Sequence, residues 1–311
     1  MKPKILSTNQ LAKLCGVSQG TVDRALNDRP GINPQTKQRI LDTAKAYGYR
    51  PNIHARSISG GKSMLLGVVV FDIQNEYFSE LLMGIEDACR QRGYSTVVMF
   101  THKDPKRELS CIDSLYRMYM DGIILCPINR GEGFENYLHS LELPIVTVGN
   151  RLDTFPHIGI DDYSAMAEVV RNAAEKGYRQ LLYPCPTLDA AQNTWAQTRR
   201  LEGFLDTARE LGIPSGVLSC RQIPDFPNTA ERTAVICPTD QYALQLLPVA
   251  RERGWGLTGF DNLRLLDTLG LALDSVAYDL PSATAAVAGF LEKGTSPDVS
   301  IPWKYIRRGS L

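Results

Sequence analysis

The sequence lacks any hydrophobic run long enough to cross a bilayer. Near the amino end the longest apolar stretch, Met64 to Phe71, is interrupted by Gly67. The basic start Met1-Lys2-Pro3-Lys4 leads into no apolar segment, so no secretory leader is expected and the chain reads as cytoplasmic, with no membrane partner. C-x-x-C pairs are missing. The seven cysteines (Cys15, Cys89, Cys111, Cys126, Cys185, Cys220 and Cys237) are odd in number and fall mostly in apolar runs. They read as buried reduced thiols rather than a disulfide framework. The four histidines, His54, His102, His139 and His157, stand far apart and none is at metal-ligand spacing, so neither a metal nor a cofactor is expected. There is no P-loop, H-E-x-x-H or G-x-S-x-G, no low-complexity tract and no fixed-period repeat. Net charge is also absent, with 34 Lys plus Arg against 34 Asp plus Glu. What is present is an ordinary globular composition, 43% apolar and 22% charged, over 311 residues, a length that favours two domains.

The neutral total hides an asymmetry. Residues 1–63 hold 11 basic and 3 acidic side chains, net +8, and residues 64–311 hold 23 and 31, net −8. A small basic head on an acidic body points to a polyanion as the partner of the head. Within the head, TNQLAKLCGVSQGTVDRALN predicts two short helices. Thr8 caps the first, whose apolar face is Leu11, Ala12 and Leu14, and Gly16 supplies a sharp turn. Ser18 caps the second, with Val22, Ala25 and Leu26 inward. Alanine, a glycine four residues later and a valine six after that form the helix-turn-helix pattern. An ordinary αα-corner has similar spacing, and the charge of the head favours DNA. A third helix starts at the cap Asn33 with Pro34 at its first position and turns Ile40, Leu41, Ala44 and Tyr47 inward. Gly48 and Pro51 end it.

The run TVDRALNDRPGINPQTKQRILDTAKAYGYRPNIHARSIS resembles the lactose/galactose-repressor (LacI) family of bacterial transcription regulators, over essentially all of residues 5–60. The resemblance implies that Gln19, Gly20 and Arg24 occupy the base-reading positions of the recognition helix. Arg24 suits bidentate pairing with guanine O6 and N7, whereas Gly20 offers only backbone. It also assigns Thr8, Ser18, Thr21, Asn27, Thr36, Lys37 and Asn52 to the DNA interface. Asp23 stands where the family usually has serine, and it reads as orienting Arg24 or accepting from cytosine N4. Residues 51–59 predict a helix of about two turns before Gly60-Gly61, too short to be stable alone. In the resembled family this hinge helix enters the minor groove. Ile58 would be its apolar wedge, with Arg56 beside a phosphate. Read without the resemblance, the segment is a flexible linker.

From Leu65 onward apolar strands (LLGVVVF, STVVMF, DGIILC, PIVTV, then RQLLYP, TAVIC, LTGF, SVAYD and IPWKYI) alternate with helical patterns. This predicts parallel sheets with helices on both faces and a ligand cleft at the strand carboxyl ends. The resemblance extends here through "FDIQNEYFSELLMGIE", "DGIILCP", "RRLEGF" and "GFDN". It implies a bilobed α/β, periplasmic-binding-protein-like fold of two doubly wound parallel sheets, joined to the all-α helix-turn-helix domain. It places Asp72, Asn75, Tyr77 and Phe78 from the first lobe, and Arg200, Thr239, Asp261 and Tyr278 from the second, around a small-molecule effector. Aromatic faces with Arg and Asp suit a carbohydrate, and Arg200 and Asp261 would be its clamps. Asp72 and Asp261 equally suit strand-end caps, and Arg200 a surface ion pair with Glu202 or Asp206. The stretch from Gly216 to Asp240 is shorter than the family's, lacking a helix, so a trimmed second lobe with exposed sheet surface is expected.

The expected organisation is residues 1–50 as the DNA-binding domain, 51–62 as hinge and linker, and 63–311 as the effector-binding and dimerisation domain. Its first lobe would span about 63–156 plus 281–299, and its second about 157–280 plus 300–311. An enzyme is the first rival. Gly254-Trp255-Gly256-Leu257-Thr258-Gly259 satisfies G-x-G-x-x-G, but a helix precedes it and a strand follows, the reverse of the dinucleotide-binding order. The second rival is the sugar-binding protein of a transport system, which the basic head disfavours. The expected function is a homodimeric, non-enzymatic DNA-binding repressor acting at a near-palindromic double-stranded operator.

Overall fold

The computed structural model of the chain describes residues 6–49, 62–71, 73–185, 191–227, 229–293 and 298–311. Two compact units divide the chain, Met1–Ser63 and Met64–Leu311.

In the first unit three helices, α1 (Thr8–Cys15), α2 (Gln19–Leu26) and α3 (Pro34–Ala46), enclose a small core of Leu11, Ala12, Cys15, Val22, Ala25, Ile40 and Ala44. Ser7, not Thr8, caps α1. Ser7 accepts from the Gln10 amide and the Gln10 side chain accepts from the Ser7 amide, the reciprocal capping box that S-x-x-Q encodes. Thr8 is the first helical residue, and its hydroxyl meets that of Tyr49 at 2.9 Å. At roughly 100° per residue, Leu11, Ala12 and Cys15 share one face while Leu14 turns away from it. Leu14 is accordingly exposed, and Cys15 takes the inward place expected of it. Gly16 adopts φ +63° at the turn, a region glycine enters without a side-chain clash. Ser18 and Asn33 cap α2 and α3 as expected. Tyr47 lies beyond the end of α3 and is 61% exposed, and Tyr49 packs on the core instead.

The second unit contains two parallel sheets. The first runs β11-β5-β4-β3-β1-β2, made of Val299–Ser300, His157–Gly159, Ile145–Val148, Ile123–Leu125, Leu65–Val70 and Ser95–Phe100. The second runs β7-β6-β8-β9, made of Ser215–Leu218, Gln180–Pro184, Thr233–Ile236 and Gly256–Thr258. Beside it β10 (Ser275–Tyr278) pairs antiparallel with β12 (Trp303–Ile306). Strand β1 is buried on both faces, which explains its unbroken apolar run. Val68 and Val70 pack with Leu81 and Ile85, and Val69 packs with Ile112 and Leu115. The chain passes between the lobes three times: from β5 to the helix Asp162–Glu175, from β10 to the helix Leu280–Lys293, and from β11 to β12. Helix Leu280–Lys293 packs on helix Glu76–Arg90 of the first lobe.

Two expectations change. His157–Gly159, assigned above to the second lobe, continues the first sheet with Thr147 opposite His157 and Val148 opposite Ile158. All three residues are buried, and the strand is paired on both sides, with β4 and with Val299–Ser300. Among its described residues the shortened crossover from β7 to β8 has no α-helix and contains one short 3₁₀ turn, Ile223–Asp225. The sheet beneath is nonetheless covered. Ile223 is fully buried with Leu182 and Val235, and Phe226 meets Trp255 edge-on at 6.4 Å. Arg253 fastens the turn through the carbonyls of Phe226 and Pro224 at 2.8 and 2.6 Å.

Candidate functional site

The outer face of α2 presents Gln19, Gly20 and Arg24, all exposed. The space a Cβ at Gly20 would enter is open except for Ser18 Oγ at 3.9 Å, so the glycine lets a partner approach the helix backbone closely. Ser18 and Thr21 hydrogen-bond each other at 2.8 Å at the start of the helix. Asp23 does not orient Arg24. Its carboxylate pairs with Arg29 at 3.1 Å and accepts from Asn27 Nδ2 at 2.8 Å. Asn27 is thereby tied to its own helix. In α3, Thr36 is half-buried and Lys37 is ion-paired with Asp28. Asn52, Arg56 and Ile58 lie outside the described residues.

In the second unit the loops at the carboxyl ends of β1, β3, β6, β8 and β9 face one another across a cavity of about 350 Å³. Its walls include Phe71, Asn75, Tyr77, Phe78, Ile128, Asn193, Gln197, Arg200, Thr239, Asp261 and Tyr278. Seven of the eight residues expected at the effector are thus brought together, and Asp72 lies outside the described residues. Asn75 caps the helix Glu76–Arg90 by accepting from the Tyr77 amide at 3.0 Å, which sets the Tyr77 and Phe78 rings at the cleft. Thr239 caps the helix Asp240–Arg253 in the same way.

Arg200 is not the surface residue its neighbours Glu202 and Asp206 suggested. Its side chain is 7% exposed, and it is Arg199 that pairs with Glu202. Arg200 Nε donates to Asp162 at 2.7 Å, Nη1 to the Pro238 carbonyl at 2.6 Å and Nη2 to the Tyr278 hydroxyl at 2.6 Å. Asp261 lies 3.6 Å from Nη1, and the Phe260 ring lies under the guanidinium at 3.8 Å. Burial alone would favour a neutral guanidinium, but Tyr278, Asp162 and Asp261 around it raise its pKa above the usual value. Burial raises both carboxyls, and the attraction of Arg200 opposes that rise.

Asp261 sits at φ +105° and Asn262 at φ +52°, an uncommon pair of left-handed conformations for residues other than glycine. Asp240 holds this loop from behind. It is fully buried, accepts from the Leu263 amide at 2.7 Å and from Ser275 Oγ at 2.6 Å, and its own amide donates to the Phe260 carbonyl at 2.7 Å. A side chain at Gly259 would collide with its carboxylate. Burial, followed by the nearby Asp261 charge, pushes Asp240 up to about 7. On the opposite side of the cleft Asn150 donates to the carbonyls of Pro127 and Asn193, and the Asn193 amide donates to the Ile128 carbonyl at 2.7 Å. Asp162, Asp240, Asn150 and Asn193 are site residues that sequence reasoning missed. Only the Asp161-Asp162 pair after an apolar strand hinted at any of them.

These two arrangements, a helix-turn-helix and a bilobed cleft, define a class. Residues 9–52 match the family of bacterial regulatory proteins, lacI family, and residues 63–287 match the periplasmic binding proteins and sugar binding domain of the LacI family. The chain belongs to the lacI family of bacterial regulatory proteins. Among particular relatives, catabolite control protein A of Priestia megaterium is 26% identical over 305 residues, covering 91% of this chain and 90% of that protein. The Staphylococcus epidermidis catabolite control protein A is 25% identical, covering 96% and 97%. Among solved structures, the lac repressor dimer bound to operator and the anti-inducer ONPF aligns with a TM-score of 0.81 at 18% identity, covering 99% of this chain and 100% of that one. The CelR–cellobiose complex aligns at 0.68 and 19%, covering 98% and 99%. The fold is shared with both. A transport-system binding protein would leave the match over residues 9–52 unexplained, and among the described residues no helix is long and apolar enough to cross a membrane.

Proposed function

We propose that this lacI-family regulator acts in the cytoplasm as a homodimeric repressor. Residues 1–50 read a near-palindromic operator, 51–62 link, and 63–311 dimerise and bind a small carbohydrate or related metabolite that alters operator affinity. The observation that carries the reading is the free outer face of α2, with Gln19, Gly20 and Arg24 exposed on a unit of net charge +8. One such helix reads a half-site, and a symmetric pair of chains reads both. The interlobe cavity of about 350 Å³, with aromatic walls and many side-chain amides, supports a small neutral polar effector. Selection from a random duplex library, followed by thermal-shift screening of sugars, nucleosides and purines, tests both halves. The reading predicts an enriched sequence with two-fold symmetry and a compound that changes affinity for it. Enrichment of no sequence overturns it.

A further inference from the structure

At the floor of the cleft Arg200, Tyr278 and Asp261 satisfy one another. Tyr278 ends β10, and its hydroxyl sits between Arg200 Nη2, which donates to it at 2.6 Å, and Asp261 Oδ1, which accepts from it at 3.0 Å. A hydroxyl bridging a guanidinium and a carboxylate is the contact a polyhydroxylated ligand would make at such a clamp. The same residue reaches across the cleft, for its ring lies 4.6 Å from that of Tyr77 of the first lobe. The second oxygen of Asp261 accepts from Asn75 Nδ2, also of the first lobe, at 2.8 Å. Next to this seam, the Leu265 amide of the second lobe donates to Glu76 at 3.1 Å, and Arg264 approaches Glu80 at 3.6 Å.

We propose that Tyr278 is a built-in occupant of the cleft: its phenol takes the place of a ligand hydroxyl between Arg200 and Asp261, and its ring, set against Tyr77, latches the second lobe to the first. The proposal rests on the reading that this cleft is the effector site. A simple core tyrosine needs only one hydrogen-bond partner for its hydroxyl. This one engages both members of a buried ion pair, one of which is bonded to the other lobe. Contacts within the chain itself therefore join the lobes at this seam. An effector that uses the Arg200–Asp261 clamp must expel the phenol, so its binding opens the seam at Tyr77. An effector that leaves the phenol in place is confined to the outer cavity between Phe71, Phe78, Gln197 and Gln241.

Hydrogen exchange on the full chain, without DNA or added sugar, tests the latch. The amides of Leu265 and Asn193 both donate across the cleft, so their protection reports closure. Tyr278→Ala removes both the hydroxyl from the Arg200–Asp261 bridge and the ring from Tyr77. It should speed exchange at both amides at least tenfold while leaving the amides of Leu182 and Val235, deep in the second sheet, unchanged. Exchange at Leu265 and Asn193 within twofold of the parent overturns the proposal. If the deep amides also accelerate, Tyr77→Ala decides, because it removes only the first-lobe ring and leaves the Arg200–Tyr278–Asp261 bridge in place. Failure of that variant to speed the same two amides overturns the latch. Binding to the library-selected duplex is measured separately. An unlatched variant with unchanged DNA affinity leaves the latch standing and overturns the coupling of cleft to operator.

Discussion

Arg24 stands exposed on α2, and its neighbour Asp23 is engaged by Arg29 and Asn27. No acid among the described residues competes for its guanidinium, so the full side chain is available to a base edge. Arg24→Ala is expected to cost about 1–3 kcal/mol on the selected duplex and to relax selection at one symmetric base pair. Equal weakening on random DNA would instead make it a phosphate contact. Arg200, expected from the sequence as a ligand clamp, is also bonded within the chain to Asp162, the Pro238 carbonyl and Tyr278. Removing it leaves Asp162 and Asp261 buried without their cation, which is expected to cost about 3–5 kcal/mol of stability. Arg200→Ala should therefore lower the denaturation midpoint and operator binding together. A midpoint equal to the parent's would show the pair contributes nothing to the fold. This bonding could not be read from sequence, because Asp162 is 38 positions away and only the packing of helix Asp162–Glu175 on helix Trp195–Glu210 joins them.

At the scale of elements, local chemistry decided what was legible. The capped helices α2 and α3 and the doubly buried strands announce themselves through side-chain caps and unbroken apolar runs. His157–Gly159 and Val299–Ser300 do not, being three and two residues long and defined only by their neighbours in the sheet. The loop after β9 was recognisable as "GFDN", but its support by Asp240 across a helix start was not. That support has a pH signature. Asp240 is raised from 3.8 to about 7, so between those values the folded chain binds more protons than the unfolded one. Its contribution to stability is greatest at low pH and is lost as pH rises through about 7. His157 works in the opposite sense: burial, and then the Arg151 charge, lower it from 6.5 to about 4, so its contribution is lost as pH falls. Comparing Asp240→Asn with the parent isolates the first effect. The melting temperature of the variant relative to the parent should climb from pH 4 to pH 7 and level off above it. A flat difference would show that Asp240 titrates normally.

For the whole molecule, the division of charge into +8 and −8 makes the association with DNA electrostatic as well as specific. Affinity for the selected duplex should fall steeply as salt rises, with a slope set by the number of phosphates contacted. The protein should sediment as a dimer on that duplex, and a monomer both free and bound would contradict the two-fold reading.

The threefold passage of the chain between its lobes also sets an order of assembly. The first sheet is completed by Val299–Ser300 and flanked by helix Leu280–Lys293, and β12 closes onto β10 later still. On the ribosome, neither lobe can reach its final form until almost all of these residues have been made. The three helices of residues 6–49 draw only on neighbours close in sequence and fold early, since short-range contacts form fast and distant ones slowly. A nascent chain therefore carries a finished three-helix head long before its two lobes are complete. With dimerisation assigned to the body as proposed above, half-site contact by incomplete chains is expected to be weak, and firm attachment to DNA is expected only at the end of synthesis.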